Sequence, residues 1–159
     1  MVDNPTLYML VGVPGAGKST WIANQKFDPE NTLILSTDKF IDAEAAIQGK
    51  TYSQVFSFSV KRATSIMNAD LKMGIMDRMN LVWDQTNTSA KARASKLASI
   101  PDNYRKVAVF FPTPEEAELE RRLASRAGKT IPPHVMRSMA SNLEMPTKAE
   151  GFDEIITVG

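Results

Sequence analysis

The sequence predicts an α/β fold, a doubly wound parallel sheet of five strands with a helical lid. Three observations predict it. The run Gly12-Val13-Pro14-Gly15-Ala16-Gly17-Lys18-Ser19-Thr20 fits the phosphate-cradling pattern G-x-x-x-x-G-K-[ST] without a mismatch, and it lies between an apolar strand-like run and the start of a helix. Apolar runs alternate with helical patterns through the whole chain, as a parallel sheet covered by helices requires. The 159 residues are enough to bury one core without disulfides or structural metal, so a single domain over 1–159 is expected.

The elements follow in order. Leu7–Val11 is a short apolar run of buried-strand type, and Ser19-Thr20-Trp21-Ile22-Ala23 opens the first helix. Thr32–Leu35, Met79–Trp83, Lys106–Phe111 and Ile155–Val158 are the other candidate strands. Between them, Ser53 to Met73 repeats apolar residues at Phe56, Val60, Ala63, Met67 and Leu71, a helical spacing that marks a core-facing stripe. Thr113-Pro114-Glu115-Glu116 has the form of a capping box with proline at the first helical position; it predicts a helix to about Arg126, before Gly128. After the stop at Pro132-Pro133, a further helix spans His134 to Leu143. No linker, repeat or low-complexity tract interrupts the pattern.

Composition removes several classes of function. The absence of cysteine excludes a disulfide scaffold and thiolate chemistry and agrees with a reducing cytoplasm. Apolar stretches fall far short of a membrane span and Met1-Val2-Asp3-Asn4-Pro5 has no basic leader, so a soluble cytoplasmic protein with no membrane partner is expected. Nineteen basic against eighteen acidic side chains give a net charge of +1, so any basic surface must be local.

The glycine-rich loop predicts binding of a nucleoside triphosphate such as ATP. Gly12, Gly15 and Gly17, with Pro14 and Ala16 between them, let backbone N–H groups turn toward phosphates while the helix N-terminus adds partial positive charge. Lys18 then reaches the β and γ phosphates, the Ser19 hydroxyl takes a place on Mg²⁺, and Thr20 completes the set. In open α/β sheets the ligand crevice lies beyond the carboxyl ends of the strands. Two acidic residues follow strands there: Asp38 after Leu33-Ile34-Leu35-Ser36-Thr37, and Asp84 after Leu81-Val82-Trp83. Phosphoryl transfer to a hydroxyl needs a carboxylate to align that hydroxyl and accept its proton, and a second anion serves the metal. The plain alternatives are that Asp38 caps the helix after it and that Asp84 is a turn residue.

Arg122 and Arg126 are four residues apart on the helix opening at Pro114, and Lys129 follows. On a lid they would neutralise charge on the transferred phosphoryl group; otherwise they form a solvated face pairing with Glu115, Glu118 or Glu120. His134, the only histidine, is expected at the surface or as a cap, and Trp21 as packing for the first helix. Lys61, Arg62, Lys91, Arg93 and Lys96 are expected on solvated helix faces.

At these residues the chain resembles the 5′-hydroxyl polynucleotide kinases of bacteriophage type, over nearly its whole length. Gly12 to Trp21 is similar to that family's opening G-x-P-G-[SA]-G-K-S-T-W, Thr37-Asp38-Lys39-Phe40 to its base-bearing segment, and Thr86-Asn87 to a pair ending its third strand. The most specific likeness is Arg122-Leu123-Ala124-Ser125-Arg126-Ala127-Gly128-Lys129-Thr130-Ile131-Pro132, continuing through Val135 to Arg137-Ser138-Met139, which is similar to the family's lid. The resemblance implies ATP and Mg²⁺ as cofactors and a 5′-hydroxyl end of DNA or RNA as acceptor. It further implies Asp38 as base, Arg126 on the donor phosphates and Thr86 on the acceptor phosphate, with Asp84 and Asn87 beside it. Three departures stand out: Ile41 where some members place arginine, Gln85 where some have aspartate, and no D-x-D-G-T stretch of a fused phosphatase, which predicts a kinase alone.

Two other classes compete. A small-molecule kinase for a nucleoside, sugar or antibiotic hydroxyl would share every donor-site residue. An NTP-hydrolysing switch fits less well, since no N-K-x-D guanine motif is present and Gln85 follows Asp84 where many ATPases carry a water-polarising glutamate.

Overall fold

The computed structural model describes residues 4–126 and 128–159. Five strands, β1 (Thr6–Val11), β2 (Thr32–Leu35), β3 (Asn80–Trp83), β4 (Arg105–Phe110) and β5 (Glu154–Thr157), form one all-parallel sheet in the order β2-β3-β1-β4-β5. Each lies within one residue of the run that predicts it. β1 is central, in register with β3 (Leu7 opposite Leu81) and with β4 (Leu7 opposite Lys106). From β1 the chain winds to β2 and β3 on one side and then to β4 and β5 on the other, so the winding reverses beside β1, where such sheets open their ligand crevice.

Six α-helices complete the described fold: α1 (Lys18–Gln25), α2 (Asp38–Gln48), α3 (Tyr52–Met76), α4 (Ala90–Leu97), α5 (Glu116–Ala124) and α6 (Pro133–Ser141). On one sheet face Leu7, Met9, Leu81 and Trp83 pack with Met67 and Leu71 of α3 and Leu97 of α4. On the other, Leu10, Val82, Val109 and Phe111 pack with Trp21 and Ile22 of α1. Trp21 stacks edge-on to Phe111 and near Tyr8 and Phe27, so it is packing, as expected.

α3 buries Val55, Ser59, Ala63, Met67, Leu71 and Gly74. The first turn of the predicted stripe is therefore one residue out: Val55 faces the core and Phe56 is 42% exposed. Gly74 allows helix and sheet to close up, since a Cβ there would lie 3.0 Å from the side chains of both Leu33 and Leu81. The predicted capping box before α5 does not form. α5 starts at Glu116, Glu115 is extended (ψ 148) in the N-cap position, and no side chain caps this end. Capping boxes form instead at α3, where Thr51 and Gln54 satisfy each other's backbone N–H groups, and at a short 3-10 turn, Lys148–Glu150, where Thr147 and Glu150 do the same. No described helix is long and apolar enough to cross a membrane.

Candidate active site

The phosphate loop is built by close approach. Gly12 N–H donates to Thr86 O (3.0 Å), tying the loop to the end of β3, and a Cβ on Gly12 would come within 2.9 Å of the Phe111 Cβ. Gly15 (φ +84) and Gly17 (φ +107) sit in the left-handed region that favours glycine, and Gly15 lies directly beneath Leu119 and Leu123 of α5. Pro14 and Ala16 are half-buried, and Ala16 N–H closes the turn onto Val13 O (3.2 Å). α1 begins at Lys18 with Gly17 as a cap that offers no side chain, so the positive end of the helix faces the loop and Ser19 and Thr20 stand exposed on its first turn.

The Lys18 ammonium donates to Gly12 O (2.7 Å) and Val13 O (2.9 Å). Burial lowers its pKa to about 8, the Asp84 and Asp38 carboxylates pull it back up, and Arg126 pushes it down. Asp84, Asp38 and Arg126, expected from sequence to serve transfer with Lys18, therefore lie within electrostatic reach of the Lys18 ammonium.

Asp84 follows β3, and its N–H continues the sheet ladder to Leu35 O (2.8 Å). Its pKa is raised from the ordinary carboxylate value, first by burial, against the pull of Lys18 and with the push of Asp38. Asp38 is the first residue of α2, with Thr37 as N-cap and no side-chain cap bond at that end. Its Oδ1 accepts the Tyr52 hydroxyl at 2.6 Å, so the carboxylate is held by α3 and does not cap its own helix. Tyr52 escaped sequence reasoning. The available signal was the Thr51-x-x-Gln54 box, which sets Tyr52 as the first residue of a helix.

Gln85 bridges elements. Its Oε1 accepts from Trp83 Nε1 (3.0 Å) and Lys96 Nζ (2.9 Å), while its Nε2 donates to Thr37 Oγ1 (3.4 Å). Asn87 departs from its expected place on the acceptor. It is 3% exposed with φ +48, and its Nδ2 donates to Leu10 O (2.8 Å) while its Oδ1 accepts from Lys96, so its polar atoms brace the β3–α4 turn. Thr86 beside it is half-buried, with its carbonyl on the phosphate loop.

Arg93 and Lys96 are not on solvated faces. Arg93 is fully buried; its Nη1 donates to Asn87 O (2.8 Å), and its Nε and Nη2 grip Glu150 (2.8 and 3.3 Å). Lys96 lies 5.3 Å from the centre of the Trp83 ring, and burial lowers its pKa to about 8. Ile41 is likewise 0% exposed, packed with Ala45, Val55 and Ala63 between α2 and α3, so this position faces the core and not the crevice. His134 is exposed on the first turn of α6, as expected.

The lid differs from the single helical face read from sequence, because α5 ends at Ala124 and Arg126 lies in the turn beyond it, its N–H bonded to Leu123 O (3.1 Å). Arg122 remains on the helix, donating to Glu118 (2.8 Å) and to Gly15 O (3.1 Å), so it touches the phosphate loop while forming the solvated pair of the plainer alternative. Arg121 and Arg122 together hold the Glu118 carboxyl at about 2. A groove of about 620 Å³ runs between α5 and α6, lined by Leu119, Leu123 and Met136 together with Arg126 and Lys129.

Residues 7–146 match a family model described as an AAA domain, and the chain belongs to that family. Heterogeneous nuclear ribonucleoprotein U-like protein 2 of Mus musculus is 24% identical over 162 residues, covering 97% of this chain, which spans only 22% of that relative's length. A chain in the solved Pnkp1/Rnl/Hen1 RNA repair complex is 25% identical with a TM-score of 0.71, the match covering 90% of this chain and 45% of that one. A gluconokinase from Sinorhizobium meliloti 1021 shares the fold at a TM-score of 0.54 and 19% identity, covering 99% of this chain and 83% of that one. The chain is a kinase-type P-loop domain.

Proposed function

We propose that this member of the AAA domain family transfers the γ-phosphoryl group of ATP to the 5′-hydroxyl end of DNA or RNA. The observation that carries the proposal is that Asp38, Asp84 and Arg126 all lie within electrostatic reach of Lys18, cations for phosphates beside a carboxylate that Tyr52 holds by one oxygen, leaving the other for a hydroxyl proton. Likeness to a chain of an RNA repair complex favours a polynucleotide acceptor, whereas the gluconokinase shares the fold alone.

In this mechanism the amides of Gly15 and Gly17 cradle the phosphates, together with the Thr20 turn of α1, while the Ala16 amide closes the loop onto Val13 O. Lys18 exchanges its two loop carbonyls for the β and γ phosphates, gaining anionic acceptors for neutral ones. Asp38 takes the proton of the 5′-hydroxyl as its oxygen bonds to the γ-phosphorus and ADP departs with the electrons of the broken bridge. Arg126, and Arg122 from its seat on Gly15 O, meet the charge spread over the transferring group, and Thr86 faces the acceptor phosphate.

The Ser19 hydroxyl and the Asp84 carboxylate are oxygen donors of the kind Mg²⁺ prefers. An ion held there would complete its coordination with substrate phosphates. Bound there, Mg²⁺ would supply neutralisation of phosphate charge. The deciding experiment is incubation with γ-labelled ATP and a panel of 5′-hydroxyl oligonucleotides, nucleosides and sugars. Label on the oligonucleotides supports the proposal; label confined to nucleosides or sugars replaces it with a small-molecule kinase.

A further inference from the structure

The Asp38 carboxylate has a fixed partner whose role the transfer chemistry above does not use. Tyr52, the first residue of α3, donates its hydroxyl to Asp38 Oδ1 at 2.6 Å. With one oxygen held by an immobile phenol, the other keeps a set direction for the proton it receives. Burial, and then the bond to Asp38, push the Tyr52 pKa well above its ordinary value, so the phenol stays a donor at working pH.

The tyrosine is itself held from the lid side. The Lys129 ammonium lies 4.8 Å from the centre of the Tyr52 ring while donating to Asp42 Oδ2 at 2.9 Å. Ser53 N–H donates to Gly128 O (3.1 Å), and Thr130 N–H returns a bond to Ser53 Oγ (3.1 Å). Gly128, at φ +74, lies so close to Thr51 that a Cβ there would come within 2.9 Å of the Thr51 Cβ. The loop following Arg126 is thus fastened to the turn that presents Tyr52. Phe56 also packs on the ring, with centroids 5.7 Å apart.

We infer that Tyr52 is a positioning residue for the proposed base: it orients Asp38, and through Lys129 it ties that orientation to the lid segment carrying Arg126. The inference rests on the assignment of Asp38 as base in the proposed function. Closing the lid then completes both halves of the site together, the cation on the phosphoryl group and the base on the hydroxyl.

Steady-state phosphorylation of a 5′-hydroxyl oligonucleotide by wild type, Tyr52→Phe, Lys129→Met, Asp38→Asn and the Tyr52→Phe/Asp38→Asn double variant tests this. Tyr52→Phe keeps the ring and its packing, and is expected to lower kcat about tenfold, as loss of a hydrogen bond to a charged group does, with KM for ATP within about twofold. Lys129→Met, on a partly exposed side chain, should lower kcat about threefold. Asp38→Asn should lose about 100-fold or more, and adding Tyr52→Phe to it should cost nothing further. Wild-type kcat in Tyr52→Phe beside an inactive Asp38→Asn overturns the inference and leaves the base standing. The same tenfold loss in both backgrounds also overturns it, since Tyr52 would then act without Asp38. An active Asp38→Asn removes the base, and the positioning role with it.

Discussion

Replacing Glu150 by glutamine should destabilise the protein far more than its position in a short 3-10 turn suggests. Arg93 is 0% exposed, and Glu150 is its charge partner through two hydrogen bonds. The same carboxylate accepts the Thr147 N–H at 2.7 Å, so one side chain closes both a buried ion pair and a turn. A glutamine presents one acceptor and one unwanted donor, leaving the guanidinium buried without a counter-charge. Breaking one partner of a buried pair costs roughly 3–5 kcal/mol, and about 3 is appropriate because Glu150 keeps some contact with solvent. For a chain of 159 residues the unfolding entropy is about 0.33 kcal/mol/K, which converts the loss to a fall in Tm of about 9 °C.

The pH dependence gives a second handle on the same pair. Partial burial opposes ionisation of Glu150, but the Arg93 and Thr147 hydrogen bonds outweigh it and hold the carboxyl below its ordinary value. The folded pKa is depressed, so this stabilisation is present above about pH 4.5, where the unfolded chain is also ionised, and is lost as pH falls below it. Thermal melts of wild type and Glu150→Gln at pH 7 should therefore differ by the full amount and converge toward pH 3. Glu154→Gln, which breaks the exposed pair with Arg105 (53% and 44% exposed side chains), is the control and should cost less than about 1 kcal/mol. A Glu150→Gln melt within about 2 °C of wild type at pH 7 would refute the assignment of the β3–α4 turn to this pair.

Lys18→Ala should remove phosphoryl transfer by about 3 kcal/mol or more in the barrier, read as kcat/KM with the best acceptor; near wild-type turnover would contradict the P-loop mechanism. Arg126→Ala should lose more kcat/KM than Arg122→Ala, since Arg122 divides its charge between Glu118 and the Gly15 carbonyl; the reverse ranking would move the transferring phosphoryl group toward α5. With the Lys18 pKa near 8 and bound phosphates favouring the ammonium, ATP binding should take up a proton above that pH and weaken as pH rises; calorimetry at pH 8.5 in two buffers of different ionisation heat would show it, and equal heats would count against it. Ile41→Arg should give insoluble or unfolded protein and no gain for a 3′-mononucleotide acceptor, because it puts an unpaired charge at a 0% exposed position; a soluble variant with lower KM would mean that α2 rotates.

What could be read from the sequence follows the range of the interactions involved. Strands and the phosphate loop are local patterns, apolar runs bounded by turns and an eight-residue motif whose Gly17, with Gly15 inside it, takes a positive φ. The capping box at Thr113 failed because the pattern of residue types is necessary but not sufficient: the chain stays extended through Glu115, so the reciprocal bonds have no helical turn to close. Arg93 was misplaced because its partners are remote or depend on a fold, Glu150 lying 57 residues on and the Asn87 carbonyl turned inward by a positive φ. The acceptor side is non-local in the same sense. Asp38 meets Tyr52 across 14 residues and Lys129 meets Asp42 across 87, neither of which any local periodicity encodes.

Gln85 shows how the tertiary structure accounts for a residue that sequence comparison marks only as a departure. Its carbonyl oxygen accepts from both Trp83 and Lys96, and its amide nitrogen donates to Thr37, the cap of the helix that carries Asp38. An aspartate could accept from the first two and from the Thr37 hydroxyl, but it is one methylene shorter and would place an anion where Gln85 offers a neutral amide. At this position the amide links the end of β3, α4 and α2 into one frame, and the carboxylate that faces Lys18 is supplied by Asp84, one residue earlier. In the proposed mechanism Gln85 thus serves as a strut toward the helix bearing the proposed base, while Asp84, one residue earlier on the strand end, supplies the carboxylate beside Lys18.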